Sequence, residues 1–62
     1  MTQILIADDH PLFRLALTQA LRAIAPDAVL IEADSLAAAR AQLDARRDID
    51  LVLLDLHLPD SH

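Results

Sequence analysis

Two short apolar runs of the sequence each end in acidic residues. Residues 4–7 are followed by Asp8 and Asp9, and residues 51–54 are followed by Asp55. Short apolar runs without a period are typical of strands that are covered on both faces, as in parallel sheets. Because parallel strands end at the same edge of their sheet, the pattern predicts that Asp8, Asp9 and Asp55 meet there. Open α/β sheets bind their ligands at this carboxyl edge.

The segment after the first run has the pattern of a helix. Between residues 10 and 25, polar side chains recur at every fourth position from Arg14 to Arg22, and most other positions are apolar. Pro11 suits the first turn of a helix, and Asp9 is placed to cap the free amides there. The apolar face is wide, which predicts burial against more than one partner.

The rest of the chain repeats the alternation of strand and helix. Residues 28–33 predict a second strand, Ser35 is a plausible N-cap of a helix that runs to about Arg46, and residues 51–54 predict a third strand. Strands that alternate with helices imply parallel pairing through right-handed crossovers. We therefore expect a β-α-β-α-β chain in an α/β fold, with the sheet order 2-1-3 and a switch point between the first and third strands.

Composition limits the function of the chain. A chain of 62 residues with 55% hydrophobic residues makes at most one small ordered domain. The net charge of -5, without any Lys, argues against a nucleic-acid surface in these residues. The absence of Gly excludes glycine-rich phosphate-binding loops, and the absence of Cys excludes disulfides and thiolate metal sites. With no apolar stretch of 18 residues and no leader, a cytoplasmic protein without membrane contact is expected.

Three converging carboxylates predict a metal site. They repel one another and need a hard cation such as Mg²⁺, which takes oxygen ligands. Asp55, at the end of a buried strand, could then attack a phosphoryl group and form an aspartyl phosphate. His10 and His57 invite a histidine-metal site, but oxygen-rich sites favour Mg²⁺ over Zn²⁺. Both histidines are therefore expected to be solvent-facing loop residues.

The two acidic segments also carry a family resemblance. ILIADDHPLFR at the start and LVLLDLHLPDSH at the end resemble the receiver domain of two-component response regulators. The DDHPLFR form is most similar to the NarL/LuxR-type transcriptional regulators. The resemblance implies a flavodoxin-like (receiver-type) sheet with the fourth and fifth strands missing. Residues 1–62 would then be a truncated receiver domain, and this chain would hold no DNA-binding domain.

The resemblance implies a role for each site residue. Asp55 would accept phosphate from a sensor histidine kinase, with no catalytic residue beyond it, so an enzyme is not expected. Asp9 would bind Mg²⁺ directly and Asp8 chiefly through water, with Asp55 and the backbone carbonyl of His57 completing the protein ligands. The family's hydroxyl residue on a fourth strand and its Lys on a fifth are absent here. DNA would be contacted only through a missing C-terminal domain.

Two alternatives stay open at the level of the sequence. The first is a fragment of a haloacid dehalogenase-type phosphatase, which also has a nucleophilic Asp after an apolar strand. That family has an acid two residues later, where this chain has His57. The second is a receiver-like structural or interaction fragment that is not phosphorylated.

The predicted sheet order has a consequence for association. Residues 51–54 would form an edge strand whose hydrogen-bonding groups and apolar side chains lack the partner that a fourth strand would supply. Exposed apolar edges recruit other chains. Self-association of the fragment through this edge is therefore expected.

Overall fold

The computed structural model describes residues 1–55 and Leu58. Its elements follow in the predicted order, and their boundaries lie close to the predicted ones. They are β1 (Gln3–Ala7), α1 (Pro11–Ile24), β2 (Val29–Ala33), α2 (Leu36–Ala45) and β3 (Leu51–Leu54).

The three strands form one parallel sheet in the order β2-β1-β3, as the sequence predicted. Leu5 in the central strand is opposite Ile31 of β2 and Val52 of β3. The first crossover connects β1 to β2, which lies on one side of β1. The second connects β2 to β3, which lies on the other side of β1. Because both crossovers are right-handed by rule, α1 and α2 cover opposite faces of the sheet. This order is that of the first three strands of a flavodoxin-like fold, as the family resemblance implied.

The core lies around the central strand. Leu5 and Ile6 are both 0% exposed, and successive strand residues point to opposite faces, so β1 is covered on both sides. Burying a side chain of this size stabilises the fold by about 1.5–3 kcal/mol. On one face of the sheet, a core cluster joins strand residues to the second helix. Its members are Leu5, Ala7, Ile31, Ala33, Ala39 and Leu58.

On the other face of the sheet lies α1, much of whose apolar surface is exposed. The wide apolar face of α1 was predicted to be buried against more than one partner, and this prediction is wrong for the described residues. Leu12 is 83% exposed, Phe13 61% and Ile24 78%, because β1 is the main element against which α1 packs. In the described part of the chain, neither helix is long and apolar enough to cross a membrane.

The two helices begin differently. Ser35 caps α2 as predicted, since its Oγ accepts a hydrogen bond of 3.0 Å from the amide of Ala38. The predicted cap of α1 by Asp9 is wrong. The N-cap residue is His10, which makes no side-chain capping bond. Asp8, instead of Asp9, bonds the backbone at the start of the helix: its Oδ1 accepts a hydrogen bond of 2.7 Å from the amide of His10.

The third strand is an edge within the described residues. There β3 pairs with β1 alone. Leu51, Val52 and Leu54 are 46%, 39% and 44% exposed. The strand therefore presents both apolar side chains and backbone groups to the surroundings, as the sheet order predicted.

Candidate functional site

Backbone hydrogen bonds fix two acidic residues just beyond the strands. The amide of Asp8 donates to the carbonyl of Ala33 in β2 at 3.0 Å. The amide of Asp55 donates to the carbonyl of Ala7 in β1 at 2.9 Å. Both bonds continue the sheet pairing by one residue past the strand ends. Each carboxylate therefore extends from a backbone position that the sheet determines.

The structure brings the three predicted aspartates together. Asp8, Asp9, His10 and Asp55 each offer one donor atom, and these atoms lie within 4.8 Å of one another. Asp8 is buried, with a side chain 4% exposed, whereas the side chains of Asp9 and Asp55 are 31% and 17% exposed. The roles of these residues stay predictions. The backbone carbonyl of His57, the remaining predicted ligand, lies outside the described residues.

His10 is the member of the cluster that sequence reasoning missed. Its Nδ1 lies 3.2 Å from Asp8 Oδ1, 3.0 Å from Asp9 Oδ1 and 3.7 Å from Asp55 Oδ2. The ring is 67% exposed, as expected for a loop histidine, yet this nitrogen faces the carboxylates. The signal in the sequence was its position between the acid pair and Pro11, which begins the helix.

The carboxylates change the protonation of His10. The hydrogen bond to Asp8 raises the pKa of His10 most, followed by the charge of Asp9, and partial desolvation opposes both. The pKa of the imidazole therefore lies above its ordinary value of 6.5. A protonated ring here is a counter-ion for the acids.

One carboxylate oxygen is left unsatisfied. The ring N–H of His10 is directed at Asp8 Oδ1, with which it forms the hydrogen bond. Asp9 Oδ1, although only 3.0 Å from the same nitrogen, is buried and has no hydrogen-bond partner among the described residues. Burying a charged oxygen without a hydrogen bond is costly even where a charged imidazole lies beside it. The atom is therefore suited to a ligand that supplies positive charge.

The donor set fits a divalent cation. Mg²⁺ takes oxygen ligands and is commonly bound through one or two carboxylates together with water and phosphate oxygens. Asp8, Asp9 and Asp55 supply such oxygens, and the orphaned Asp9 Oδ1 gives an independent reason for a cation. These aspartates are the residues that would hold it.

Arg14 supports the loop that carries the acid pair. Its Nη1 donates to the backbone carbonyl of Asp8, and its Nε lies 3.0 Å from Glu32 Oε1. The guanidinium thus ties α1 to the end of β1 and to β2. The hydrogen bond to the Asp8 carbonyl restrains the loop on this side.

An apolar groove adjoins the cluster. It has a volume of about 380 Å³ and runs between α1 and β3. Asp8, Asp55 and His10 lie in its lining together with Phe13 and Leu53. The site is therefore continuous with the exposed apolar surface of the sheet.

Comparison with known proteins agrees with this geometry. The family described as "Response regulator receiver domain" matches residues 4–62. The chain is 42% identical over 62 residues to a glycerol metabolism activator of Pseudomonas putida, and it spans 28% of the length of that protein. No solved structure matches significantly. Because the family match covers nearly the whole sequence, including both acidic segments, the chain belongs to the response regulator receiver domain family.

Proposed function

We propose that this chain is the phosphoacceptor part of a receiver domain, in which Asp55 accepts a phosphoryl group with Mg²⁺ bound beside it. The observation that carries the proposal is the approach of Asp55 to Asp8 and Asp9, with donor atoms within 4.8 Å. A lone acid at a strand end commonly does no more than cap or solvate a turn. Three carboxylates held this close indicate a shared cation.

The proposed transfer uses Asp55 as the nucleophile. A carboxylate oxygen attacks the phosphorus of a phosphohistidine, so that an O–P bond forms while the P–N bond breaks. The imidazole leaves with the bonding electron pair and takes up a proton. Mg²⁺, when bound, neutralises charge on the transferring oxygens. The hydrogen bond from the Asp55 amide to the Ala7 carbonyl holds the nucleophile at the sheet edge.

The remaining ligand roles are proposed from the family resemblance. Asp9 binds the cation directly, Asp8 chiefly through water, and the backbone carbonyl of His57 completes the protein ligands together with Asp55. The exposure of the side chains of Asp9 and Asp55, at 31% and 17%, supports access from solvent. The burial of Asp8 supports an indirect role.

The wider protein is proposed to be a transcription regulator of the NarL/LuxR type. The similarity of this chain to a glycerol metabolism activator supports a role of the wider protein in controlling gene expression. In this proposal, residues 1–62 are a truncated receiver domain that takes phosphate from a sensor histidine kinase in the cytoplasm. DNA is then contacted by a domain outside these residues.

The test is Mg²⁺-dependent labelling by a small phosphodonor such as acetyl phosphate. Asp55→Asn keeps the shape of the side chain and removes the nucleophile, so we expect labelling to be abolished with the fold intact. Asp48→Asn removes an acid at the opposite end of the sheet and should leave labelling unchanged. Undiminished labelling of Asp55→Asn contradicts the assignment.

The same assay separates the two alternatives. Steady hydrolysis of a phosphate ester, instead of a single stable labelling, would favour the phosphatase. Absence of labelling in the wild-type chain, together with a folded sheet, would favour a structural fragment.

A further inference from the structure

We propose that His10 determines which divalent cation the acidic site accepts, by placing an imidazole nitrogen among the carboxylates as a fourth donor. The inference rests on the proposed cation site of Asp8, Asp9 and Asp55, and it goes beyond the oxygen ligands assigned there. In this arrangement the site binds Zn²⁺, Co²⁺ or Ni²⁺ with His10 as a ligand. Mg²⁺ binds only when the ring has moved aside.

The inference rests first on the distances from Nδ1 of His10 to the three carboxylates. With metal–ligand bonds of about 2.1 Å, neighbouring donor atoms of an octahedral or tetrahedral site lie about 3.0–3.4 Å apart. His10 Nδ1 lies 3.0, 3.2 and 3.7 Å from one oxygen each of Asp9, Asp8 and Asp55. A single ring nitrogen can donate a well-directed hydrogen bond to only one of them. The distances to Asp9 and Asp8 fall within that range and Asp55 Oδ2, at 3.7 Å, lies slightly beyond it, so the nitrogen is placed as a co-ligand that needs only a small approach of Asp55.

The backbone of His10 is held beside the acids. The amide of His10 donates to Asp8 Oδ1 at 2.7 Å, and its carbonyl accepts from the amide of Arg14 at 2.9 Å. Pro11 follows as the first residue of α1 and restricts the chain on that side. With the backbone held at both ends, movement of the imidazole is confined mainly to its side-chain torsions.

Ligand chemistry then decides between cations. Imidazole suits Zn²⁺, Ni²⁺ and Cu²⁺, whereas carboxylates and water suit Mg²⁺. Mg²⁺ loses its water reluctantly and usually keeps several molecules in its shell. The ring of His10 takes up space beside the acids that such waters need. Because the ring is 67% exposed, it is free to swing into solvent when Mg²⁺ binds.

The experiment compares Mg²⁺ and Co²⁺ binding to the full chain and to two variants. His10→Ala removes the ring, and His10→Asn keeps a short polar side chain with an oxygen donor. We expect both variants to bind Co²⁺ at least 10-fold more weakly than the wild-type chain, with Mg²⁺ affinity unchanged or increased. The visible spectrum of bound Co²⁺ should lose the signature of a nitrogen ligand.

A second readout follows the ring directly. Zn²⁺ added to chain carrying ¹⁵N-labelled histidine should shift the Nδ1 resonance of His10, and Mg²⁺ should leave that nitrogen without a metal bond. The inference is overturned if the ratio of Co²⁺ to Mg²⁺ affinity is the same in wild type and His10→Ala, or if His10→Ala favours Co²⁺. Failure of the wild-type chain to bind any cation would instead count against the proposed function, since the acids would then not form a metal site.

Discussion

Gln3 and Asp50 exchange two hydrogen bonds at the amino ends of β1 and β3. The amide of Gln3 donates to Asp50 Oδ2 at 2.9 Å, and the amide of Asp50 donates to the carbonyl of Gln3 at 2.9 Å. At the other end of the same strands, Asp55 is bonded to Ala7. The alignment of β1 with β3, which brings Asp55 to the acid pair, is therefore held at both ends.

Asp50→Ala should destabilise the sheet. The substitution leaves the Gln3 amide without its carboxylate partner, and a loss of roughly 1 kcal/mol in the free energy of unfolding is expected for this exposed bond. Asp48→Ala is the matched control. Among the described residues, its carboxylate accepts from the exposed side chain of Gln3, at 2.8 Å, and not from a strand amide, so less than about 0.5 kcal/mol is expected. Urea denaturation at one fixed protein concentration measures both; equal losses would show that Asp50 does not fix the alignment.

Mg²⁺ should stabilise the fold through the acidic site. Binding to the folded state alone stabilises by mass action, by about 1.4 kcal/mol at a free concentration of about ten times Kd. Asp9→Ala should remove this response, and its metal-free melting temperature should be at least that of the wild type, because fewer carboxylates are crowded together. Asp44→Ala, an exposed acid on α2, should respond as the wild type does. A melting temperature of the wild-type chain that Mg²⁺ does not change would contradict the site.

Without metal, stability should depend on pH through His10. The pKa of this histidine is raised in the folded state by its hydrogen bond to Asp8 and by the charge of Asp9. A raised pKa means that the folded state holds the proton more tightly than the unfolded state does. The stabilisation is therefore fully present below the unfolded pKa, near 6.5, and is lost as the pH rises through the folded pKa.

Thermal denaturation in EDTA across this pH range measures the effect. The difference between wild type and His10→Ala isolates the contribution of His10, because His57 and His62 are present in both chains. A difference that does not decrease with rising pH would show that the ring does not serve as a counter-ion.

The exposed edge of β3 should make the 62-residue chain self-associate. Val52→Lys places a charge on this edge and should shift the chain toward the monomer, since lysine on an edge strand opposes further pairing. Leu43→Lys is the matched control, because Leu43 is 42% exposed and Val52 39%, but Leu43 lies on α2. Light scattering over a range of concentrations gives the mass. A wild-type monomer at high concentration, with strong protection of the β3 amides against hydrogen exchange, would contradict the prediction.

The sequence predicts the fold well because the signals for it are local. Residues 51–54 form a short apolar run, and Ser35 stands before a helical pattern, so each element is specified by its own neighbours. The order 2-1-3 follows from alternation of strand and helix together with the handedness of crossovers. The approach of Asp8 to Asp55 is a consequence of that order.

What the sequence does not predict depends on contacts between distant segments. Periodicity shows that one face of α1 is apolar, but it does not show what covers that face, and Phe13 remains 61% exposed. The preferred partner of the His10 amide is Asp8 and not Asp9, which depends on the turn that the chain makes after β1. The approach of Asp55 to the His10 ring, with Oδ2 3.7 Å from Nδ1, depends on the folded sheet, which alone brings the two residues together.

The central position of β1 determines when the site can form during synthesis. Gln3 and Asp50, which align β1 with β3, are 47 positions apart in the chain. Asp8 and Asp9 are therefore synthesised early, and they stay in contact with water while the residues of α1, β2 and α2 are synthesised. They approach Asp55 only after β3 has paired with β1. Contacts between such distant positions are slow to form, because the long intervening segment must first be closed into a loop. Repulsion between the carboxylates then opposes one step only, the pairing of β3 with β1. A substitution that removes one of these carboxylates should therefore slow unfolding more than it speeds folding.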